Sequence, residues 1–225
     1  MVASDYQHIW DCCCDHGFLG ASLIADKISP QVHLVDIVPE LISSLEIKLN
    51  KLFPHQPTDS SKRWQTHCLD SSNLPLEDYH GKQLIIIAGV GGELATSMVR
   101  DICLKHPDVA LDFLLCPVHQ LYTLRQQLIK LKIGLKSEVL IKENKRFYEI
   151  LLLSRASEPE PELKTKEVSP TGKAIWQGNS VEEKKIAQDY LQVTLSHYQR
   201  MQLGSDNPAL VEAFNAYQGI SIEPS

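Results

Sequence analysis

A chain of 225 residues is long enough for one full α/β domain with an appendage, and it can bury a core unaided. Its formal net charge of −6 argues against a broadly basic nucleic-acid binder, and its longest strong apolar run, residues 84–88, falls far short of the roughly 20 residues of a membrane span. The polar, acidic N-terminus does not read as a secretory signal, so a cytoplasmic protein with reduced cysteines and no membrane contact is expected.

Strand-like apolar runs alternate with helical patterns, the signature of a parallel sheet covered on both faces. Strands are expected over 9–13, 32–36, 65–69, 84–88 and 112–116, with helices over 19–27, 39–51, 93–106 and 122–131. Pro39 falls in a first helical turn, where it is tolerated, Gly89-Val90-Gly91-Gly92 closes the fourth strand, and Pro117 stops the fifth. The pattern then changes. Residues 135–141 and 147–153 are strand-like runs joined by a polar turn from Lys142 to Arg146, and should pair antiparallel. Five parallel strands with a terminal hairpin make up the strand inventory of the Rossmann-like, methyltransferase variant of the doubly wound sheet.

Residues 156–170 are rich in Pro, Glu, Lys, Ser and Thr and read as a linker. Beyond them Ser180 and Glu183 form a capping-box pattern, and Ala187, Leu191, Leu195 and Tyr198 lay an apolar stripe along a long helix. Gly204 ends that helix, Asn207 and Pro208 start another, and Leu210, Phe214 and Tyr217 continue the spacing. The expected organisation is a catalytic α/β domain over 1–155, a linker over 156–170 and a C-terminal helical hairpin over 171–225, packed on the core or on a partner.

In an open α/β sheet the ligand sits outside the carboxyl ends of the strands, where strand order reverses. That would bring the 11–17 loop beside the Gly89 to Gly92 loop. Asp36 ends the second strand, where a carboxylate can accept both hydroxyls of a ribose, and Asp70 follows the third, within reach of an adenine amino group. Each acid alone is as readily a strand-end carboxylate; at successive strand ends they become informative. Asp11 and Asp15 suit the sulfonium of S-adenosylmethionine (SAM) better than a pyrophosphate, which favours more glycines and no carboxylate at that turn. The dinucleotide alternative rests on Gly89-Val90-Gly91-Gly92, but Leu94 stands where a third glycine is needed, and the next acid, Asp112, begins a strand rather than ending one. Cys12, Cys13 and Cys14 are adjacent, so alternate faces of a strand keep them from converging on one zinc; they read as small fillers and no metal site is expected.

Together, Asp11-Cys12-Cys13-Cys14-Asp15-His16-Gly17-Phe18-Leu19, Ile87-Ala88-Gly89-Val90-Gly91-Gly92 and Asn144-Lys145-Arg146-Phe147-Tyr148-Glu149-Ile150 resemble the bacterial TrmK family of SAM-dependent tRNA (adenine-22-N1) methyltransferases, over residues 9–153. The resemblance implies that Asp11, Cys13, Asp15 and Gly17 lie along the methionine part of SAM, Asp36 at the ribose and Asp70 at the adenine. It implies that His16 and the backbone of Gly89, Gly91 and Gly92 face the acceptor base. Two departures stand out. Cys13 takes the place of a glycine, so a Cβ and thiol would approach the cofactor, and Cys116-Pro117-Val118 replaces a glutamine-proline-polar run. N1 of adenine carries a lone pair and attacks a methyl carbon directly, which calls for positioning more than for a general base. His16 could orient the adenine amino group; as a turn histidine it could equally be a structural hydrogen bonder.

Charge is unevenly spread. Residues 1–121 carry 8 Lys+Arg against 15 Asp+Glu, whereas 122–155 carry 8 against 3. If tRNA is the substrate, Arg125, Lys130, Lys132, Lys136, Lys142, Lys145 and Arg146 are the residues expected to track phosphates; a solvated surface is the plain alternative. The residues also leave open methylation of another acceptor (other RNA, protein or small molecule) and a SAM-binding interaction module without catalysis.

Overall fold

The computed structural model describes residues 5–54, 63–155 and 165–222. These form a seven-stranded sheet in the order β3-β2-β1-β4-β5-β7-β6, with β1 His8–Cys12, β2 Gln31–Asp36, β3 Trp64–Cys68, β4 Gln83–Ala88, β5 Leu111–Cys116, β6 Gly134–Glu143 and β7 Arg146–Arg155. The first five strands are parallel, and β7 pairs antiparallel with both β5 and β6. This is the Rossmann-like sheet with a terminal hairpin that the alternation predicts.

The period-two side-chain pattern of the strands divides the core in two. Ile9, Leu34, Leu84 and Ile86 face α1 (Phe18–Ala25) and α2 (Pro39–Leu52), while Trp10, Val35, Ile85, Ile87 and Phe113 face α3 (Gly92–Lys105) and α4 (Leu121–Lys130). Three histidines cross β1, β2 and β3 as a ladder: His8 Nδ1 lies 3.1 Å from His33 Nε2, and His33 Nδ1 lies 2.9 Å from His67 Nε2. Trp10 stacks flat on His33, at 3.8 Å between ring centroids, and burial holds all three imidazoles below their ordinary pKa, with His33 pulled down to about 2.

The β6–β7 strands run longer than the apolar runs suggest, leaving only Asn144 and Lys145 in the turn, both at positive φ. A two-residue turn of that kind matches the strands' right-handed twist. Of the expected linker, residues 156–164 lie outside the described residues. Residues 165–170 are not detached: Lys166 pairs with Leu135 in both directions, and Val168 is buried in the core facing α3 and α4.

The C-terminal helices α5 (Val181–Gln202) and α6 (Pro208–Gln218) pack on each other. Ser180 Oγ caps α5 by accepting the Glu183 N–H, while the Glu183 carboxylate accepts the Asn179 N–H one residue outside the expected box. The hairpin docks on the α/β domain through Tyr190, Trp176, Ala213 and Tyr217 against Tyr122, Leu140 and Phe147. No helix among the described residues is long and apolar enough to cross a membrane.

Candidate active site

β1 pairs with β2 on one side and β4 on the other, with Cys12 level with Ile87, so the chain turns left from one strand and right from the next. The loops leaving β1 and β4 therefore stand side by side at the carboxyl edge, the geometry that opens a ligand crevice.

The β1–α1 loop is tightly wound. Cys13 and Asp15 adopt φ of 56° and 47°, and Gly17 caps α1 at φ 68°, three left-handed residues within five. The strand ends one residue earlier than expected, and Cys13 sits in the turn in a left-handed conformation that favours glycine, at the strain a Cβ imposes. Its thiol is half-buried and packs against the core facing α3 and α4, while Cys12 and Cys14 are buried. Burial raises the pKa of all three thiols, that of Cys14 to about 12, so they are neutral sulfurs, not nucleophiles. Gly17 is required twice over: its φ is positive, and a Cβ there would come within 2.4 Å of Leu45 Cδ1.

The carboxylates take distinct positions. Asp11 points down from β1 into the face covered by α1, 4% exposed, and its Oδ2 accepts the Gly20 N–H at 2.9 Å. Burial pushes its pKa up to about 7, against the opposing pull of that N–H. It fastens the first turn of α1 to β1. Asp36 ends β2 as predicted; Oδ2 accepts the Asp15 N–H at 3.1 Å and Oδ1 the Val38 N–H at 3.0 Å. It thereby ties the β1 loop to the β2 loop, and each oxygen keeps a second lone pair. Asp70 is exposed and accepts the Ser72 N–H at 2.8 Å, which lowers its pKa. Asp15 is exposed as well.

His16 borders a shallow pocket with Asp15, Phe18, Leu41, Ser44, Leu45 and Lys48, and its carbonyl accepts from Lys48 Nζ. The helix on this side of the pocket, α2, packs on β2 and β3.

That second loop is zipped to the loop after β5. Gly89 N–H donates to Cys116 O, Val118 N–H to Val90 O, and Gly92 N–H to His119 O, at 3.1, 2.9 and 3.0 Å. The three glycines do different things. At Gly91 a Cβ would fall 2.3 Å from His119 Cε1, and at Gly92 it would fall 2.5 Å from Gln120 O, so both are small because the β5–α4 loop presses on them. Gly89, at φ 78°, has open space where a Cβ would be, so it is the glycine that faces the crevice.

The basic stretch needs correction. Arg125 is fully buried, donating through Nε and Nη2 to Glu149 (2.9 and 2.7 Å), pairing through Nη2 with Glu138 at 2.8 Å, and donating through Nη1 to Ser169 O. Tyr190 Oη of α5 donates to the other Glu149 oxygen at 2.6 Å, so this network ties α4, β6, β7, the 165–170 segment and the hairpin together. Glu149, a motif residue with no evident chemistry in the sequence, has this structural task. Lys136 pairs with Asp112 and Lys142 with Asp189. Lys130, Lys132, Lys145 and Arg146 are exposed.

Comparison with known proteins adds the following. A profile described as a methyltransferase domain matches residues 1–151. No curated protein sequence matches the chain. The fold is similar to that of Sp1610 from Streptococcus pneumoniae, a candidate tRNA (m1A22) methyltransferase, with a TM-score of 0.72 at 18% identity over 97% of this chain and 93% of that one. TrmK of M. capricolum, solved with S-adenosyl-homocysteine, aligns with a TM-score of 0.69 at 15% identity over 96% and 90%. The B. subtilis m1A22 tRNA methyltransferase TrmK aligns with a TM-score of 0.58 at 18% identity over 96% and 89%.

Proposed function

The chain belongs to the methyltransferase-domain family, and on that premise we propose that it is a SAM-dependent methyltransferase of the TrmK type, transferring a methyl group to N1 of an adenine in tRNA. The observation that carries this reading is the juxtaposition of the β1 and β4 loops at the switch point of the sheet, with an acid ending β2, exposed acids at Asp15 and Asp70, and open space at Gly89. The tRNA part is supported by likeness to the m1A22 enzymes over at least 96% of this chain, which takes in the C-terminal hairpin beyond the 1–151 profile match. A cytoplasmic setting fits the six free thiols.

The residues fit the cofactor in chemistry. A sulfonium is matched by carboxylates, and the thiols of the turn are neutral. SAM supplies a methyl carbon activated by a cationic sulfur. Asp36, with its two remaining lone pairs, would hold the ribose, Asp70 the adenine end, and the Cys13 to Gly17 turn with Asp15 the methionine end. Asp11 keeps the turn in shape from below. Exposed Lys130, Lys132, Lys145 and Arg146 would meet phosphates. No general base is needed for a lone-pair nucleophile, so the protein's work is placement, which is worth about 7–11 kcal/mol of barrier when fully realised.

The test is incubation of purified protein with unmodified tRNA and SAM, followed by nucleoside mass spectrometry. 1-Methyladenosine is expected, and Asp36→Ala should abolish it while weakening SAM binding measured by calorimetry. Methyl transfer only to other extract components would move the substrate elsewhere. Absence of SAM binding would make the fold an interaction module and end the enzymatic reading.

A further inference from the structure

A second histidine stands beside the Gly89 to Gly92 loop. His119 follows Pro117 in the β5–α4 loop, is exposed, and lies with its Cε1 edge over Gly91, the loop being locked by the Gly92 N–H on its carbonyl. Its ring is oriented chemically as well as sterically. Gln120, held at φ 62° at the N-cap of α4, turns its side chain back across the gap, and its Oε1 lies 3.4 Å from the Glu93 N–H at the start of α3 and 3.1 Å from His119 Nδ1.

A backbone N–H can only donate, so the atom of the Gln120 amide that meets it is the oxygen. An amide oxygen can only accept, so His119 Nδ1 carries the hydrogen. In that tautomer the lone pair is on Nε2, which has no hydrogen-bond partner among the described residues. Leu94 in the first turn of α3 and Val118, next to His119 in the β5–α4 loop, are each about half exposed.

We infer that His119 Nε2 is the acceptor that reads and orients the exocyclic amino group of the adenine, and that Gln120 holds its tautomer. This inference rests on the reaction proposed above. As the N1 lone pair forms its bond to the methyl carbon, the carbon–sulfur bond breaks with its electron pair on sulfur, and the positive charge passes from sulfonium to the N1–C6–N6 amidine. The amino hydrogens become more acidic as that happens. An acceptor lone pair at N6 therefore binds the transition state more tightly than the ground state, which is the condition for raising kcat. His119 also gives specificity, since a base with a carbonyl at the 6-position would set oxygen against a nitrogen lone pair.

The experiment combines a protein change with a substrate change. His119→Phe keeps a ring over Gly91 but removes the acceptor; tRNA carrying purine riboside at the methylated position removes the 6-amino group. On adenine tRNA, His119→Phe should lose about 10- to 100-fold in kcat/KM, mainly in kcat, the range of one hydrogen bond that strengthens as charge develops. On purine tRNA the variant and the wild type should be equal, because their missing groups are partners. SAM affinity and melting temperature should be unchanged, and His119→Gln, whose amide oxygen accepts, should recover part of the rate. For the positioning residue, Gln120→Leu should lower kcat with KM on adenine tRNA unchanged and, like the His119 change, have no effect on purine tRNA. Equal losses for His119→Phe on both substrates, an unaffected rate, or a variant that loses SAM binding along with activity would overturn the assignment. A wild-type protein that methylates no tRNA adenine refutes the proposed function and this inference with it, whereas an active wild type with an indifferent His119 refutes this inference alone.

Discussion

Acidification should expose the histidine ladder. His33 is fully buried between His8 and His67 under the Trp10 ring, and burial first, then its two imidazole neighbours, bring its pKa down to about 2. In the unfolded chain a histidine titrates near 6.5. Below that pH the unfolded state takes up a proton that the native state refuses, so stability falls as pH falls, with a slope approaching 1.36 kcal/mol per unit. From pH 6.5 to 5.0 the contribution of His33 alone is about 2 kcal/mol, or roughly 4–8 °C in melting temperature for a chain of this size. His8 and His67 are shifted the same way and add to it. Asp11 opposes them: its pKa lies at about 7 in the fold, so the native state holds a proton there that the unfolded chain releases above its ordinary carboxylate pKa. That contribution is present at acid pH and is lost as pH rises through about 7.

His33→Phe isolates the ladder. It preserves the stack on Trp10 and removes the two ring-nitrogen contacts, so it is less stable than wild type at pH 7.5 but has a flatter pH dependence. Urea unfolding at pH 7.5 and pH 5.0 for both proteins gives the comparison, with Asp11 cancelling in the difference. A wild type and a variant that lose the same stability over this interval would refute the argument.

Glu149→Gln should cost about 3–5 kcal/mol, because Arg125 then sits buried with half its counter-charge, and the loss is read in urea unfolding; the triple change Arg125→Met, Glu138→Gln, Glu149→Leu, which leaves no buried charge unpaired and keeps an acceptor for the Lys173 and Ala174 N–H groups, should recover most of it. Gly17→Ala should destabilise by about 1–3 kcal/mol through the Leu45 clash and the left-handed φ, and should weaken SAM binding measured by calorimetry. Replacing Lys130, Lys132, Lys145 and Arg146 together by Ala should weaken tRNA binding at low salt and flatten its dependence on salt concentration, seen in filter binding; the same slope as wild type would move the RNA surface elsewhere. Gly91→Ala should lower methyl transfer with little change in SAM affinity, since its Cβ would displace the His119 ring.

Much of the architecture was legible from local pattern alone. The apolar runs that became β1 to β5 differ from the observed strands by a residue or so at each end, because side-chain periodicity and the Gly and Pro stops are local properties. The order of the strands follows from general rules of parallel sheets, and so the adjacency of the β1 and β4 loops was expected too. Gly17 was legible only as a motif residue; its left-handed φ and the approach of Leu45 came from the fold.

Three features needed the tertiary structure. Arg125 belongs by sequence to a basic stretch, yet it is buried, because its counter-ions Glu138 and Glu149 come from strands 13 and 24 residues further on and a charge pattern carries no information about depth. Asp11 and Asp36 are both strand-end acids, but the pleat sends one beneath α1 and leaves the other between two loops. His16 and His119 each follow a strand end, but the fold sets His16 beside α2 and lays His119 over Gly91. Period and propensity act over a few residues and can be read along the chain, whereas burial, pairing of charges and convergence of loops depend on groups distant in sequence and are decided only when the sheet closes around them.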